Sequence, residues 1–228
     1  MMRVVEAFYS LQGEGTLVGV PSVFIRLAGC PFRCRWCDTA YAWDYSAGEE
    51  LDSAGIVERI AQWPGKFVVL TGGEPLVGED LAVRPGLVEL TCRLKALGKH
   101  ITIETAGTLF VPDLACDLIS ISPKLGNSTS PAIHQAGRCD AEVLNRLIAA
   151  YPYQLKFVID SPWDIEEVQE VLGQLGPVDP SRVLLMPQAH TRDELIAKSP
   201  MVAELCRKTG FRFCDRLHIF LWSEERGR

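Results

Sequence analysis

No stretch of the chain approaches the run of about 20 apolar residues that spans a bilayer. The opening MMRVVEAFYSLQGEG also lacks the apolar core and small-residue cleavage site of a secretory signal. The expectation is therefore a cytoplasmic protein with no membrane partner. Positive charge is short as well: 23 Lys and Arg face 29 Asp and Glu, a formal net charge of −6. That balance argues against nucleic acid or an anionic membrane as a partner held by long-range attraction. It leaves room for a local basic site that takes a small acidic ligand. Internal repeats, low-complexity tracts and a convincing linker are missing too, so residues 1–228 read as a single domain.

What is present alternates. SVFIRLAG (22–29), KFVVLTGG (66–73), HITIETAG (100–107), LISISPK (118–124), QLKFVID (154–160), RVLLMPQ (182–188) and RLHIFLW (216–222) read as strands. Several are continuously apolar, as in a parallel sheet covered on both faces. Helices are expected near 52–62, 81–97, 138–150, 163–174 and 191–208, the first capped by Asp52 or Ser53 with Ile56, Ile60 and Trp63 on one face. Gly176–Pro177 offers a stop for the fourth. This alternation predicts an α/β fold. The units are too few for a full eightfold barrel, so a shortened, incomplete β/α barrel fits better, although a doubly wound sheet has the same local pattern. In either, the ligand site forms beyond the strand C-termini. Those ends read GCPFRC, TGGEP, ETAGT, SPK and MPQ, and chemistry recurs from one to the next.

The eight cysteines divide into a tight trio, Cys30, Cys34 and Cys37, and five scattered residues without ligand spacing. Cys92, Cys116, Cys139, Cys206 and Cys214 are expected to be small buried residues in a reducing compartment. The trio lacks a fourth partner. Structural zinc takes four ligands, and a catalytic zinc with three thiolates from one loop would be an unusual donor set. A [4Fe–4S] cluster held by three thiolates would keep one iron for an outside ligand. A redox or purely structural trio is the remaining reading.

The C-x-x-x-C-x-x-C spacing with an aromatic before its last cysteine (Trp36-Cys37) resembles the signature of radical S-adenosylmethionine enzymes. The resemblance implies that the open iron is chelated by S-adenosylmethionine, whose reductive cleavage yields a 5′-deoxyadenosyl radical. It implies a fold of the incomplete-barrel type and a reductant such as flavodoxin or ferredoxin. TGGEP then resembles the motif that binds the methionyl amino group, through Gly73 and Glu74. Trp36, Cys37, Asp38, Ser122, Pro123, Lys124 and Gln188 are its further implied cofactor neighbours. Without the resemblance, GGEP, SPK and MPQ are ordinary turns, and Trp36 simply packs.

A sharper resemblance covers most of the chain. FYSLQGEG, VFIRLAGCPFRCRWCDT, TGGEP, ETAG, SPK, KFV, MPQ and the terminal RLHIFLW occur in the order found in 7-carboxy-7-deazaguanine synthases. That family converts 6-carboxy-5,6,7,8-tetrahydropterin to 7-carboxy-7-deazaguanine with ring contraction and loss of ammonia, a lyase step toward queuosine and so toward tRNA modification. It also implies a homodimer. Substrate contacts are implied for Leu11, Gln12, Gly13, Glu14, Arg26, Thr71 and His218, and a Mg²⁺ ligand at Thr39. The chemistry is reasonable residue by residue. Arg26 can hold a carboxylate through two parallel hydrogen bonds, and Glu14 can accept from a guanidine-like pterin edge. One hydroxyl plus substrate oxygens and water suits Mg²⁺.

Each assignment has a plainer counterpart. Arg26 can be a salt bridge at a barrel mouth, LQGEG a loop, Asp38-Thr39 a helix cap and His218 a structural histidine. Glu104 and Thr105, at another strand end, are expected near the substrate without a defined role. The tail SEERGR departs from the family's usual short endings. Two other functions compete: a glycyl-radical enzyme activating protein, which shares the cluster motif, and a zinc-stabilised binding module.

Overall fold

The computed structural model describes residues 1–129, 139–223 and 225–227. Its centre is a nine-stranded sheet in the order β3-β1-β2-β4-β5-β6-β7-β8-β9. The strands are β1 (Met2–Leu11), β2 (Pro21–Leu27), β3 (Glu49–Leu51), β4 (Phe67–Gly72), β5 (His100–Thr105), β6 (Leu118–Ile121), β7 (Tyr153–Ile159), β8 (Val183–Pro187) and β9 (Arg212–Phe213). β1 pairs antiparallel with both β2 and β3, and every later pair is parallel. The sheet does not close, since β3 and β9 form its two edges.

Helices α1 (Ser53–Ile60), α2 (Leu87–Ala96), α3 (Ala141–Ala150), α4 (Asp164–Gly173) and α5 (Arg192–Thr209) provide crossovers between parallel strands, while α6 (Leu217–Trp222) ends the fold. Asp52 caps α1 by accepting from the Gly55 N–H at 2.7 Å, and Ile56 and Ile60 are buried beneath it. Thr191 and Glu194 form a reciprocal capping box at the start of α5.

Alternation along the strands separates core from site. Val23, Ile25 and Leu27, Ile101 and Ile103, Ile119 and Ile121, and Leu155, Phe157 and Ile159 pack into the main core with the helices. Their neighbours Arg26, Glu104, Ser120, Lys156 and Val158 line a cavity on the other face. A strand buried on both sides thus carries two different chemistries at a period of two.

Several expected elements differ. RLHIFLW, expected as a strand, forms the helix α6 from Leu217 onward. A short apolar run does not distinguish strand from helix, and the edge beside β8 is taken by β9. α2 begins at Leu87 rather than near residue 81. Pro85 disfavours helical backbone at Arg84, and Gly86 adopts φ 80° at the cap. α4 ends at Gly173, ahead of the expected Gly176–Pro177 stop. β1 is the largest element not foreseen. Residue 138 of the third expected helix lies outside the described residues.

Candidate active site

The cavity encloses about 530 Å³, a volume ordinary for small-molecule sites. The cysteine loop leaves β2 through Gly29, at φ 90°, where a Cβ would meet the Tyr45 ring at 2.1 Å. Two backbone bonds anchor it, from Gly29 N–H to Ala42 O and from Cys30 N–H to Trp43 O. Arg35 and Trp36 both donate to the Asn127 carbonyl. Cys30, Cys34 and Cys37 all line the cavity, the first two buried. Burial pushes the Cys30 thiol up to about 12 and raises Cys34 as well. Such thiols become thiolates when a bound cation compensates the charge. Among the described residues, no three His, Cys, Asp or Glu side chains converge as the ligands of one metal ion would.

The TGGEP turn packs directly on this loop. The Gly73 N–H donates to Leu27 O at 3.0 Å, and Glu74 N–H to Gly29 O at 2.8 Å. A Cβ on Gly73 would lie 2.2 Å from Gly29 O, so the close approach requires glycine. The Glu74 carboxylate is buried and accepts from Thr105 Oγ1 at 2.6 Å, Ala106 N–H at 2.7 Å and Leu76 N–H at 3.2 Å. Burial raises its pKa against those three bonds. Glu74 therefore also fixes the ETAG turn. Behind it, buried Arg84 donates to the carbonyls of Ala28, Glu74 and Pro75. It lies in a stretch expected to be helical, and no motif marked it.

On the opposite wall, Gln12 donates to Glu104 Oε1 at 3.0 Å and accepts from the Glu14 N–H at 3.1 Å. Glu14 pairs with Lys156 and with Arg216 Nε at 3.1 Å, and His218 Nε2 lies 3.8 Å away. Burial alone would raise the Glu14 pKa, but the charges of Lys156, Arg216 and His218 overcome it and hold the carboxyl well below its usual range. Burial lowers the pKa of His218 in spite of Glu14. Close packing is tight here too, since a Cβ on Gly13 would strike His218 Nδ1.

Arg26 donates through Nε to Glu6 Oε1 at 2.7 Å, and the Tyr41 hydroxyl donates to the same oxygen at 2.7 Å. Glu6 was not foreseen, nor were Tyr41, Lys156 and Arg216. A charged residue inside an apolar strand, such as Lys156 between Leu155 and Phe157, is the available signal. The Thr39 hydroxyl lies 3.6 Å from Cys37 Sγ and makes no capping bond. Asp38 pairs with Arg216 at 2.7 Å.

Leu11, Trp36, Thr71, Gly73, Ser122 and Lys124 join these residues on the cavity wall, whereas Pro123 and Gln188 do not. Gln188 follows the end of β8, and its side-chain oxygen accepts from Lys198 Nζ at 2.5 Å, turned toward α5. Lys124 Nζ bonds Ser122 Oγ at 3.3 Å and lies 5.8 Å from the Trp36 ring.

An open, mostly parallel sheet with a three-cysteine loop after β2 and a glycine–glutamate turn after β4 defines a class. The radical SAM superfamily profile matches residues 24–150, and the class is that of radical SAM enzymes. The 7-carboxy-7-deazaguanine synthase of Halobacterium salinarum is 40% identical, covering 96% of this chain and 90% of its own. That of Pyrobaculum aerophilum is 39% identical over 100% and 97%. The crystal structure of QueE from Escherichia coli matches with a TM-score of 0.72 at 28% identity, over 95% of this chain and 94% of that one. The chain belongs to the 7-carboxy-7-deazaguanine synthase family. These relatives do not favour a glycyl-radical activating enzyme. Superfamily membership implies a [4Fe–4S] cluster and S-adenosylmethionine. The donors fit, because all three cysteines line the cavity and soft thiolates are the ligands such a cluster takes.

Proposed function

We propose that the protein is a carbon–nitrogen lyase that contracts the ring of 6-carboxy-5,6,7,8-tetrahydropterin, giving 7-carboxy-7-deazaguanine and ammonia. The observation that carries this reading is the pairing of a cationic and an anionic anchor, Arg26 and Glu14, on the cavity that also holds the three cysteines. A carboxylated pterin has complementary ends, an anion at one and an N–H edge at the other.

When bound, the cluster and S-adenosylmethionine supply an organic radical that takes a substrate hydrogen. The chain's own side chains do the rest. Arg26 receives the substrate carboxylate, and Glu14, kept ionised by Lys156 and Arg216, accepts from the pterin edge. Gln12 and His218 close that side, and Phe8 and Phe24, stacked with centroids 5.0 Å apart, add an apolar wall. Thr39 would offer its hydroxyl to a bound Mg²⁺, which would supply positive charge for substrate oxygens. The working protein is a cytoplasmic homodimer reduced by a flavodoxin or ferredoxin. It acts on the free small molecule rather than on nucleic acid, in a step toward queuosine.

The test is anaerobic reconstitution with iron and sulfide, followed by reduction in the presence of S-adenosylmethionine, Mg²⁺ and the carboxylated pterin. Mass spectrometry should find the deazaguanine product. A brown, iron-loaded, reduced protein that makes none would reject the assignment.

A further inference from the structure

Arg216 stands where three loops meet. Its side chain is buried, and each arm of the guanidinium reaches a different strand end. Nε donates to Glu14 Oε1 at 3.1 Å, Nη2 to Asp38 Oδ2 at 2.7 Å, and Nη1 to the Ala189 carbonyl. Glu14 belongs to the loop after β1, Asp38 follows the last cluster cysteine, and Ala189 lies just beyond β8. The next residue adds a fourth tie, from Leu217 N–H to Gly13 O at 2.9 Å. Glu14 is held from its other side by Lys156, so the chain of charges runs Asp38–Arg216–Glu14–Lys156.

We infer that Arg216 is a positioning residue that joins the cofactor loop to the substrate loop, so that seating S-adenosylmethionine beside Asp38 orders the loop that carries Glu14. The inference rests on the readings of Asp38 as a cofactor neighbour and of Glu14 as a substrate anchor given above. A planar fork with fixed arms is the physical basis. It holds two carboxylates at one separation, and a displacement of either is passed to the other. Lysine, a point charge on a flexible stem, cannot do this. The consequence is that the radical source and the substrate anchor are assembled together rather than separately.

The test needs no substrate. Hydrogen exchange is followed by mass spectrometry on the full, cluster-loaded chain under anaerobic conditions, with and without saturating S-adenosylmethionine. In the wild type, the cofactor should slow exchange of the 12–17 amides by about tenfold, within the usual span of coupling energies between sites. In Arg216→Lys that slowing should vanish while the amides of the cysteine loop remain protected. Asp38→Ala cuts the same bridge at a half-exposed side chain; if the lysine variant does not fold, this variant should lose the slowing at 12–17 while cofactor-dependent protection of its cysteine-loop amides shows that S-adenosylmethionine still binds. Equal slowing in the folded variants, or none in the wild type, would overturn the inference. A wild type that makes no deazaguanine but retains the cofactor-dependent slowing would sink the substrate assignment and leave the Arg216 link standing.

Discussion

Glu14 keeps its charge where burial opposes it. The carboxylate is stabilised by Lys156 and Arg216, and each of these cations is in turn buried against it. The folded pKa lies below the ordinary 4.5, so the unfolded chain binds that proton first. The stabilisation is complete above about pH 4.5 and is lost as pH falls toward the folded value. Glu14→Gln should cost about 3 kcal/mol at neutral pH, because buried Lys156 loses its ion-pair partner and Arg216 is left with Asp38 as its remaining carboxylate. It should also flatten the fall in melting temperature below pH 4.5. Parallel melting curves for variant and wild type across that range would show that Glu14 is not the group titrating. Arg26 has a different balance, since its partner Glu6 is already present. On the proposed assignment of Arg26, a substrate carboxylate would share or displace that pairing.

The elements do more than carry these side chains. β2, β6 and β7 present their odd set to the helices and their even set to the cavity, so one strand fixes a core residue and a site residue together. Register then brings neighbours level: Glu6 opposite Arg26, Arg26 beside Thr71, and Glu104 beside Ser120. The two loops that follow β2 and β4 touch through backbone alone at Gly73. Gly73→Ala should force them apart, because the added carbon would overlap the Gly29 carbonyl oxygen. The expected result is a loss of stability of about 2–3 kcal/mol with weakened S-adenosylmethionine binding, measured by thermal melting and calorimetry. An alanine variant that binds the cofactor normally would mean that the loops do not need this approach.

For the molecule as a whole, the open sheet gathers residues from the first strand to the last helix around one cavity. Glu6 and Glu14 meet Arg216 and His218 there, although they are about as far apart in sequence as the chain allows. No helix among the described residues is long and apolar enough to cross a membrane. A cluster bound only by the folded arrangement contributes its binding energy to folding. Anaerobic removal of iron by a chelator should lower the melting temperature, by about 2–4 °C for each kcal/mol of binding lost in a domain of this size. Cys30→Ser should melt near the stripped wild type and gain nothing from reconstitution. An unchanged melting temperature after stripping would show that the cysteine loop is ordered without its metal.

The trio of cysteines, the glycines after β4 and the parallel α/β pattern were legible in the sequence because each is local. Thiolate spacing, a turn without side chains and apolar runs are encoded within a few residues. Asp52 as a helix cap belongs to the same group. The terminal RLHIFLW was misread as a strand because its apolar content does not settle strand or helix; the available sheet edge went to β9, and the segment turned back onto the Gln12–Glu14 loop as a helix. Glu6, Tyr41 and Arg216 were invisible as site residues for a related reason, and Lys156 was marked only by its charge inside an apolar strand. Their importance comes from partners 20 to 202 positions away. The sequence by itself determined which donors the protein has and the run of parallel strands from β2 through β8 that carries them. Only the tertiary structure decided which charges are paired, since ion pairing in a buried cavity depends on distance and desolvation rather than on separation along the chain.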